Sequence, residues 1–348
     1  MRSAAEAAYF SGMETQSALS PAAAGTAKAP DLMFVTVAAI TSLARDTNAY
    51  TFGRSDGAAL PSYKAGAHID VHLPNGLTRQ FSLVRPAAAD PSRYVVGIKR
   101  DPASRGGTSY IFDQLKVGDT LKISVPRNNF PLADSAAPVV LIAGGIGITP
   151  IWCMAQELAA QGRPWTLYYS CRSRADMAFL AELEPNDGGR VHLHFDDEAN
   201  GQFLDLAAAI AAAPPDAHFY CCGPTPMLGA FQAIAAGRPA GHVHLEYFAP
   251  KDDAAGSGHI GGFWVELARS GEEYYIPEGK KILEVLYAAG VDVDYSCELG
   301  ICGACETRVI SGVPEHHDSV LSEEDQASNT KVMICCAGSK TERLVLDL

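Results

Sequence analysis

The chain has 348 residues, of which 47% are hydrophobic and 19% charged, and its formal net charge is −13. That length exceeds one ordinary core and predicts two or three domains, while the acidic balance argues against a nucleic-acid partner. No apolar run is long enough to span a bilayer, and residues 1–30 lack the basic and apolar regions of a signal peptide, so a cytoplasmic protein with a disordered N-terminal tail is expected.

From residue 31 to 133 the chain reads as β-rich. Apolar alternation runs through Phe34–Ile40, His68–Leu73, Arg79–Val84, Tyr94–Ile98 and Leu121–Val125, with Gly, Pro, Asn and Asp between the runs. Many short strands predict an antiparallel barrel. One helix is expected near Thr108, where Tyr110, Ile111 and Leu115 share a face. From 134 to 250 strand-like runs at Val139–Ile142, Thr166–Tyr169, Val191–Phe195 and His218–Cys221 alternate with Ala- and Leu-rich helical stretches, predicting a parallel α/β sheet. Residues 251–258, KDDAAGSG, read as a linker. The last stretch, 259–348, holds short strands, a helix around Lys281–Ala289 and a cysteine-rich loop. From Lys251 onward, 8 Lys+Arg stand against 18 Asp+Glu, giving −10 of the −13 and leaving −3 for the other 250 residues. This acidic end suits docking on a basic protein patch, or plain solubility.

Five of the nine cysteines lie in the last 52 residues, which points away from a secreted disulfide framework and toward a metal site. Cys297, Cys302 and Cys305 follow the spacing C-x4-C-x2-C, with Cys335 and Cys336 further on. This is the plant-type [2Fe–2S] arrangement. Thiolates suit iron and sulfide, and Gly300 and Gly303 free the backbone of so tight a loop. Small Ala304 leaves room for amides to approach the sulfurs. A zinc site is the competing use of four cysteines, but the glycine-laced x4/x2 loop favours iron–sulfur. Alternation along a strand would turn Cys336 away from Cys335. The adjacent His316 and His317 read as a solvated loop rather than a metal pair.

After the strand Val139–Ile142 comes AGGIGITP, residues 143–150. Gly144, Gly145 and Gly147 let backbone amides approach a pyrophosphate between strand and helix. A second motif, YCCGPTPM, places Cys222, Gly223 and Pro224 at the end of another strand. Both motifs then lie at the carboxyl edge of the sheet, where open α/β folds bind ligands. In the barrel, RQFSLV carries Arg79, Phe81 and Ser82, and IKRDPASRGGTS carries Ile98, Lys99, Arg105, Gly106, Gly107 and Thr108. Glycines before a helix start, with two arginines, make an anion site. Alone, either segment could be an ordinary strand or turn.

Together RQFS, RGGTS, GGIGITP, YCCGP, SCELGICGAC and the CC-to-LVLDL ending resemble the phthalate dioxygenase reductase family of the ferredoxin–NADP reductase superfamily, to which vanillate demethylase reductases also belong. The resemblance covers about Leu32 to Leu348. It implies a flavin-binding β-barrel, an NAD-binding α/β domain and a C-terminal β-grasp ferredoxin domain. It also implies that Thr149 and Cys222 adjoin the nicotinamide, that Arg79 reaches the flavin phosphate, that Phe81 lies along the isoalloxazine, and that Ser82 bonds the ring. Phe81 stands where relatives carry Tyr, so stacking survives and a hydroxyl contact is lost. Phe248, in HLEYFAP, falls where relatives stack an aromatic on the flavin, or packs the linker. Arg172 lies near the adenosine ribose, or is a surface charge. The distance of Cys335 from the LVLDL ending matches the fourth ligand of relatives, and the resemblance favours NADH. No insertion after Thr108 is long enough to house an adenine, so FMN is expected rather than FAD. The family feeds an oxygenase bearing a Rieske centre. Rival readings are an FAD-containing reductase of a diiron monooxygenase, which places its ferredoxin domain first, and a redox sensor whose cluster only binds a partner.

Overall fold

In the computed structural model, residues 32–102, 104, 106–184, 190–239, 241–249 and 262–348 are described. The expected tail, the 251–258 linker and Arg105 lie outside them. The first sheet comprises β1 (Leu32–Ala44), β2 (Thr47–Gly53), β3 (Ala67–His72), β4 (Thr78–Ser82), β5 (Arg93–Lys99), β6 (Thr120–Ser124) and β7 (Arg127–Asn128), with α1 (Gly107–Gln114) between β5 and β6. Its order is β4-β3-β6-β1-β2-β5, with β7 on β3, and an antiparallel bridge from Leu83 to Val96 joins the two ends into a barrel. Val37, Tyr50, Phe52, Ile69, Leu83, Val96, Ile98 and Ile123 fill it, each fully buried. Burying one such side chain contributes roughly 1.5–3 kcal/mol. The expected helix is α1, which buries Ile111. β2 escaped the sequence reading because Thr47 and Asn48 open the run with polar residues.

The second sheet comprises β8 (Val139–Gly144), β9 (Trp165–Cys171), β10 (Val191–Phe195), β11 (His218–Cys222) and β12 (Val243–Glu246), joined by α2 (Ile148–Ala160), α3 (Leu180–Leu183), α4 (Leu206–Ala211) and α5 (Thr225–Ala235). All its pairs are parallel, in the order β10-β9-β8-β11-β12. Every residue of β8 and β11 is buried, as central strands covered on both faces require. The order reverses between β8 and β11, and the crevice at that switch point is where this topology binds its ligand.

The third sheet comprises β13 (Phe263–Leu267), β14 (Glu273–Ile276), β15 (Glu306–Ser311), β17 (Lys331–Met333) and β19 (Arg343–Leu346), in the order β14-β13-β19-β15-β17. A separate ribbon pairs β16 (Pro314–Glu315) with β18 (Gly338–Ser339). α6 (Ile282–Ala288) packs Ile282, Leu283 and Leu286 into this core, and α7 (Glu323–Ser328) is capped by Ser322, whose hydroxyl accepts from the Asp325 amide at 3.1 Å.

The first two sheets share packing. Ala65, Val84 and Phe130 of the barrel belong to the same apolar cluster as Ile151, Trp152 and Leu158 of α2. Arg85 grips Glu182 through two bonds of 2.6 and 2.7 Å, and Trp152 Nε1 donates to the same carboxylate at 3.1 Å. Gln156 Nε2 donates to the Val84 carbonyl at 2.9 Å. A core that crosses the boundary limits the relative motion expected of a small polar interface. Among the described residues, no helix is long and apolar enough to cross a membrane.

Candidate functional site

The cysteine loop follows α6. Three of its residues, Glu298, Gly300 and Gly303, have φ of +57°, +69° and +73°. A turn this tight is why the loop carries glycine. Its amides point inward: Leu299 N donates to Cys297 Sγ and Ala304 N to Cys302 Sγ, each at 3.3 Å. Such donors offset the negative charge of thiolates. Cys297 lies within hydrogen-bonding reach of Cys302 and Cys335, and Cys305 within reach of Cys335. The same shared hydrogen bonds lower Cys335 and Cys302 and raise Cys297 and Cys305. No group of three or more His, Cys, Asp or Glu among the described residues is arranged to hold one metal ion. A binuclear cluster asks for two thiolates on each iron, and four sulfurs linked in the chain Cys302–Cys297–Cys335–Cys305, with inward amides, fit it.

Two expectations about this region are corrected. Cys335 and Cys336 lie in a turn after β17, so strand alternation does not separate them. Cys336 instead turns toward Gly300, where a Cβ would come within 2.6 Å of its sulfur, and toward the Met333 carbonyl at 3.6 Å. His316 is not solvated: its side chain is 6% exposed and lies 3.7 Å from Asp318. Asp318 ties down the Val320 and Leu321 amides, and Ser319 N donates to the Gly300 carbonyl at 2.9 Å, so this segment backs the cysteine loop.

Beside the loop opens a cavity of about 320 Å³. Arg79, Phe81, Ser82, Ile98, Lys99, Thr108, Thr149 and Phe248 line it, as do His68, Glu246, Leu299 and Ile301, which the sequence reading did not single out. Gly106, at φ +94°, is the N-cap of α1, and Gly107 lets the Arg79 side chain pack on the helix start. Thr108 Oγ1 accepts from the Asp101 amide at 3.1 Å. The first turn of α1 thus presents amides beside a guanidinium, a fit for a phosphate.

The two Gly-rich turns of the second sheet meet at its switch point. A Cβ on Gly147 would overlap the Cys222 carbonyl; one on Gly144 would come within 2.6 Å of Met227 and 2.7 Å of Pro224, and one on Gly223 within 2.8 Å of Met227. These glycines therefore serve close packing of one motif on the other, beyond any approach to pyrophosphate. Gly145 alone among the predicted three takes a positive φ, +54°. Thr149 donates to the Ile146 carbonyl at 3.0 Å, and its methyl faces Gly97 of β5. Cys222 is fully buried, and burial, then Glu246 and Cys221, push its thiol well above the usual value, so it is present as a thiol. Arg172 is exposed just past the end of β9.

Glu246 closes β12 in register with Cys222. Burial pushes its carboxyl up to about 8, and its Oε2 has no protein partner among the described residues. A carboxyl on the cavity wall that is neutral at neutral pH marks a functional-site candidate. The sequence did carry a signal, an acid inside the apolar ending HLEYF, but one acidic residue at a strand end is normally solvated.

Residues 265–339 match the 2Fe-2S iron-sulfur cluster binding domain family, and residues 141–233 the oxidoreductase NAD-binding domain family. The phenoxybenzoate dioxygenase subunit beta of Ectopseudomonas oleovorans is 52% identical over 289 residues, spanning 83% of this chain and 89% of the relative. The tetrachlorobenzoquinone reductase of Sphingobium chlorophenolicum is 47% identical over 324 residues, spanning 90% of this chain and 97% of the relative. Among solved structures, phthalate dioxygenase reductase, described as a modular structure for electron transfer from pyridine nucleotides to [2Fe–2S], matches with TM-score 0.69 and 37% identity over 91% of this chain and 98% of that one.

Proposed function

The chain belongs to the phthalate dioxygenase reductase family of NAD(P)H-dependent, [2Fe–2S]-bearing oxidoreductases, and from that membership we propose that it is the NADH-oxidising, FMN-carrying reductase component of a two-component Rieske-type oxygenase. The observation that carries this reading is the composite wall of the cavity. The barrel contributes Phe81, Ser82 and Lys99, the edge of the nucleotide sheet contributes Thr149 and Glu246, and the cysteine loop contributes Leu299 and Ile301. A planar carrier held there would lie between the edge of the nucleotide sheet and the cysteine loop.

Flavin, when bound, supplies a carrier that accepts two electrons together and releases them singly, and the cluster supplies a one-electron relay. The chain does the rest. Arg79 and the first amides of α1 bind the phosphate, and Phe81 and Phe248 offer aromatic faces to the ring. Ser82 and Lys99 orient its polar edge. Gly144, Gly145, Gly147, Gly223 and Pro224 shape the crevice for the dinucleotide, with Arg172 at its ribose end. Thr149 and Cys222 would shape the nicotinamide seat, Glu246 holds a proton on its carboxyl, and Leu299 and Ile301 would exclude water on the side facing the cysteine loop. Cys297, Cys302, Cys305 and Cys335 would hold the two irons.

FMN is favoured over FAD because only a short connection separates Lys99 at the end of β5 from α1 at Gly107. Flavin released by heat, chromatographed before and after phosphodiesterase, should be unchanged by the enzyme; conversion of an FAD peak would overturn the assignment. The quinone reductase relative favours a second reading, direct reduction of a quinone. A Cys335→Ser protein without cluster separates them: a quinone reductase keeps its quinone rate, whereas an oxygenase reductase loses delivery to its protein acceptor.

A further inference from the structure

Asn129 links the barrel to the cysteine loop. Its Nδ2 donates to the carbonyl of Cys302 at 2.8 Å, across 173 positions of sequence. Gly303 receives it closely, since a Cβ there would come within 3.3 Å of the same nitrogen. Asn129 directly follows β7, whose Arg127 and Asn128 pair with His68 and Ala67 of β3. β3 is itself braced: Asp70, with its side chain 3% exposed, takes Arg127 at 2.7 Å and Gln80 at 3.0 Å. On the far side, Arg127 draws down Asp294, which burial and Asp292 push up, so the same segment faces the third sheet's domain electrostatically as well. His68 lines the cavity from the barrel, and Ile301 lines it from the residue just before Cys302. A continuous chain of bonded groups therefore runs from the cavity wall to the peptide of a cluster ligand.

We propose that Asn129 is a positioning residue: it latches the Cys302–Gly303 peptide to the barrel and so holds the cluster at its transfer distance from the flavin cavity. The proposal rests on the function proposed above. Domains joined by modest polar interfaces move relative to one another by default. Among the described residues no buried apolar cluster is shared between the barrel and the cysteine loop, so one well-placed hydrogen bond shifts the docked population. Losing a neutral hydrogen bond changes such an equilibrium about two- to tenfold. The net reaction read in the test is balanced: NADH and two ferricytochrome c give NAD⁺, one proton and two ferrocytochrome c, each electron leaving singly through the cluster.

The test compares the full-length holoprotein with Asn129→Ala and Asn129→Asp. Asp keeps the shape of Asn but has no amide to donate. Anaerobic stopped-flow mixing with NADH follows flavin bleaching and cluster reduction separately, and cluster content and its electron paramagnetic resonance signal are recorded for each protein. The latch predicts flavin bleaching at the wild-type rate, an unchanged cluster signal, and cluster reduction and cytochrome c turnover slowed about two- to tenfold in both variants. Wild-type cluster reduction in both variants would overturn it. So would slowing that is matched by loss or distortion of the cluster signal, because Asn129 would then support the cluster rather than its distance; if only Asn129→Ala loses cluster, Asn129→Asp decides. A wild-type protein in which NADH bleaches no flavin defeats the proposed function itself, whereas coupled wild-type and unaffected variants defeat only the latch.

Discussion

Glu246 is where a single residue has the sharpest consequence. Its carboxyl titrates at about 8 when folded, against an ordinary value of 4.5. A raised acid contributes stability that is present below 4.5 and lost as pH rises toward 8. Glu246→Gln should therefore be more stable than the parent at pH 8 and no more stable at pH 4.5, which denaturant midpoints at the two pH values will check. The rate of flavin reduction by NADH should also lose an inflection near pH 8 in that variant. The cysteines give a second residue-scale outcome. Cys335→Ser should lose most of its iron and visible cluster absorption, and Cys336→Ser should retain both, because Cys335 is the one within reach of Cys297 and Cys305. The spacing of the first three cysteines was legible in the sequence because their loop is local. Cys335 was singled out by its distance from the LVLDL ending, but strand alternation gave no support for it, since Cys335 and Cys336 lie in a turn after β17. Glu246 was hidden for a related reason, because its place beside Cys222 on the cavity wall is set by strand pairing that a local pattern does not report.

At the scale of elements, the β8–α2 and β11–α5 turns act as one unit. Gly147→Ala would drive a methyl group into the Cys222 carbonyl. Overpacking of this kind costs about 1–3 kcal/mol. The variant should melt lower and bind NADH more weakly, as calorimetry on the full chain will register. A second element-scale feature is the imidazole stack at the start of β11 and β12. His218 lies over His242 at 4.2 Å between centroids, and Tyr220 over His244 at 4.3 Å. Burial, then His218 and His242, lower His244 to about 4 from 6.5. A lowered histidine stabilises the fold above 6.5, and that contribution is lost as pH falls toward 4. Urea midpoints should drop across that window, and His244→Gln should flatten the drop. The parallel sheet itself was plain in the sequence, because Val139–Ala143 and Phe219–Cys222 are apolar runs followed by glycine. β2 was not, as its polar opening broke the alternation.

For the whole molecule, the sequence announced three architectural regions by their rhythm, but not how they meet. The Arg85–Glu182 pair spans 97 positions and the Asn129–Cys302 bond 173, and no local pattern encodes either. Nor does hydrophobicity reveal that one apolar cluster runs from Phe130 of the barrel into α2. Those contacts make one cavity out of three walls, and on that cavity the redox chain depends. Its most direct test is an anaerobic titration with NADH followed by visible absorbance. A flavin band and the broader iron–sulfur absorption should bleach together, within the same few equivalents of NADH. Flavin bleaching that leaves a fully loaded cluster oxidised, even with excess NADH, would contradict it.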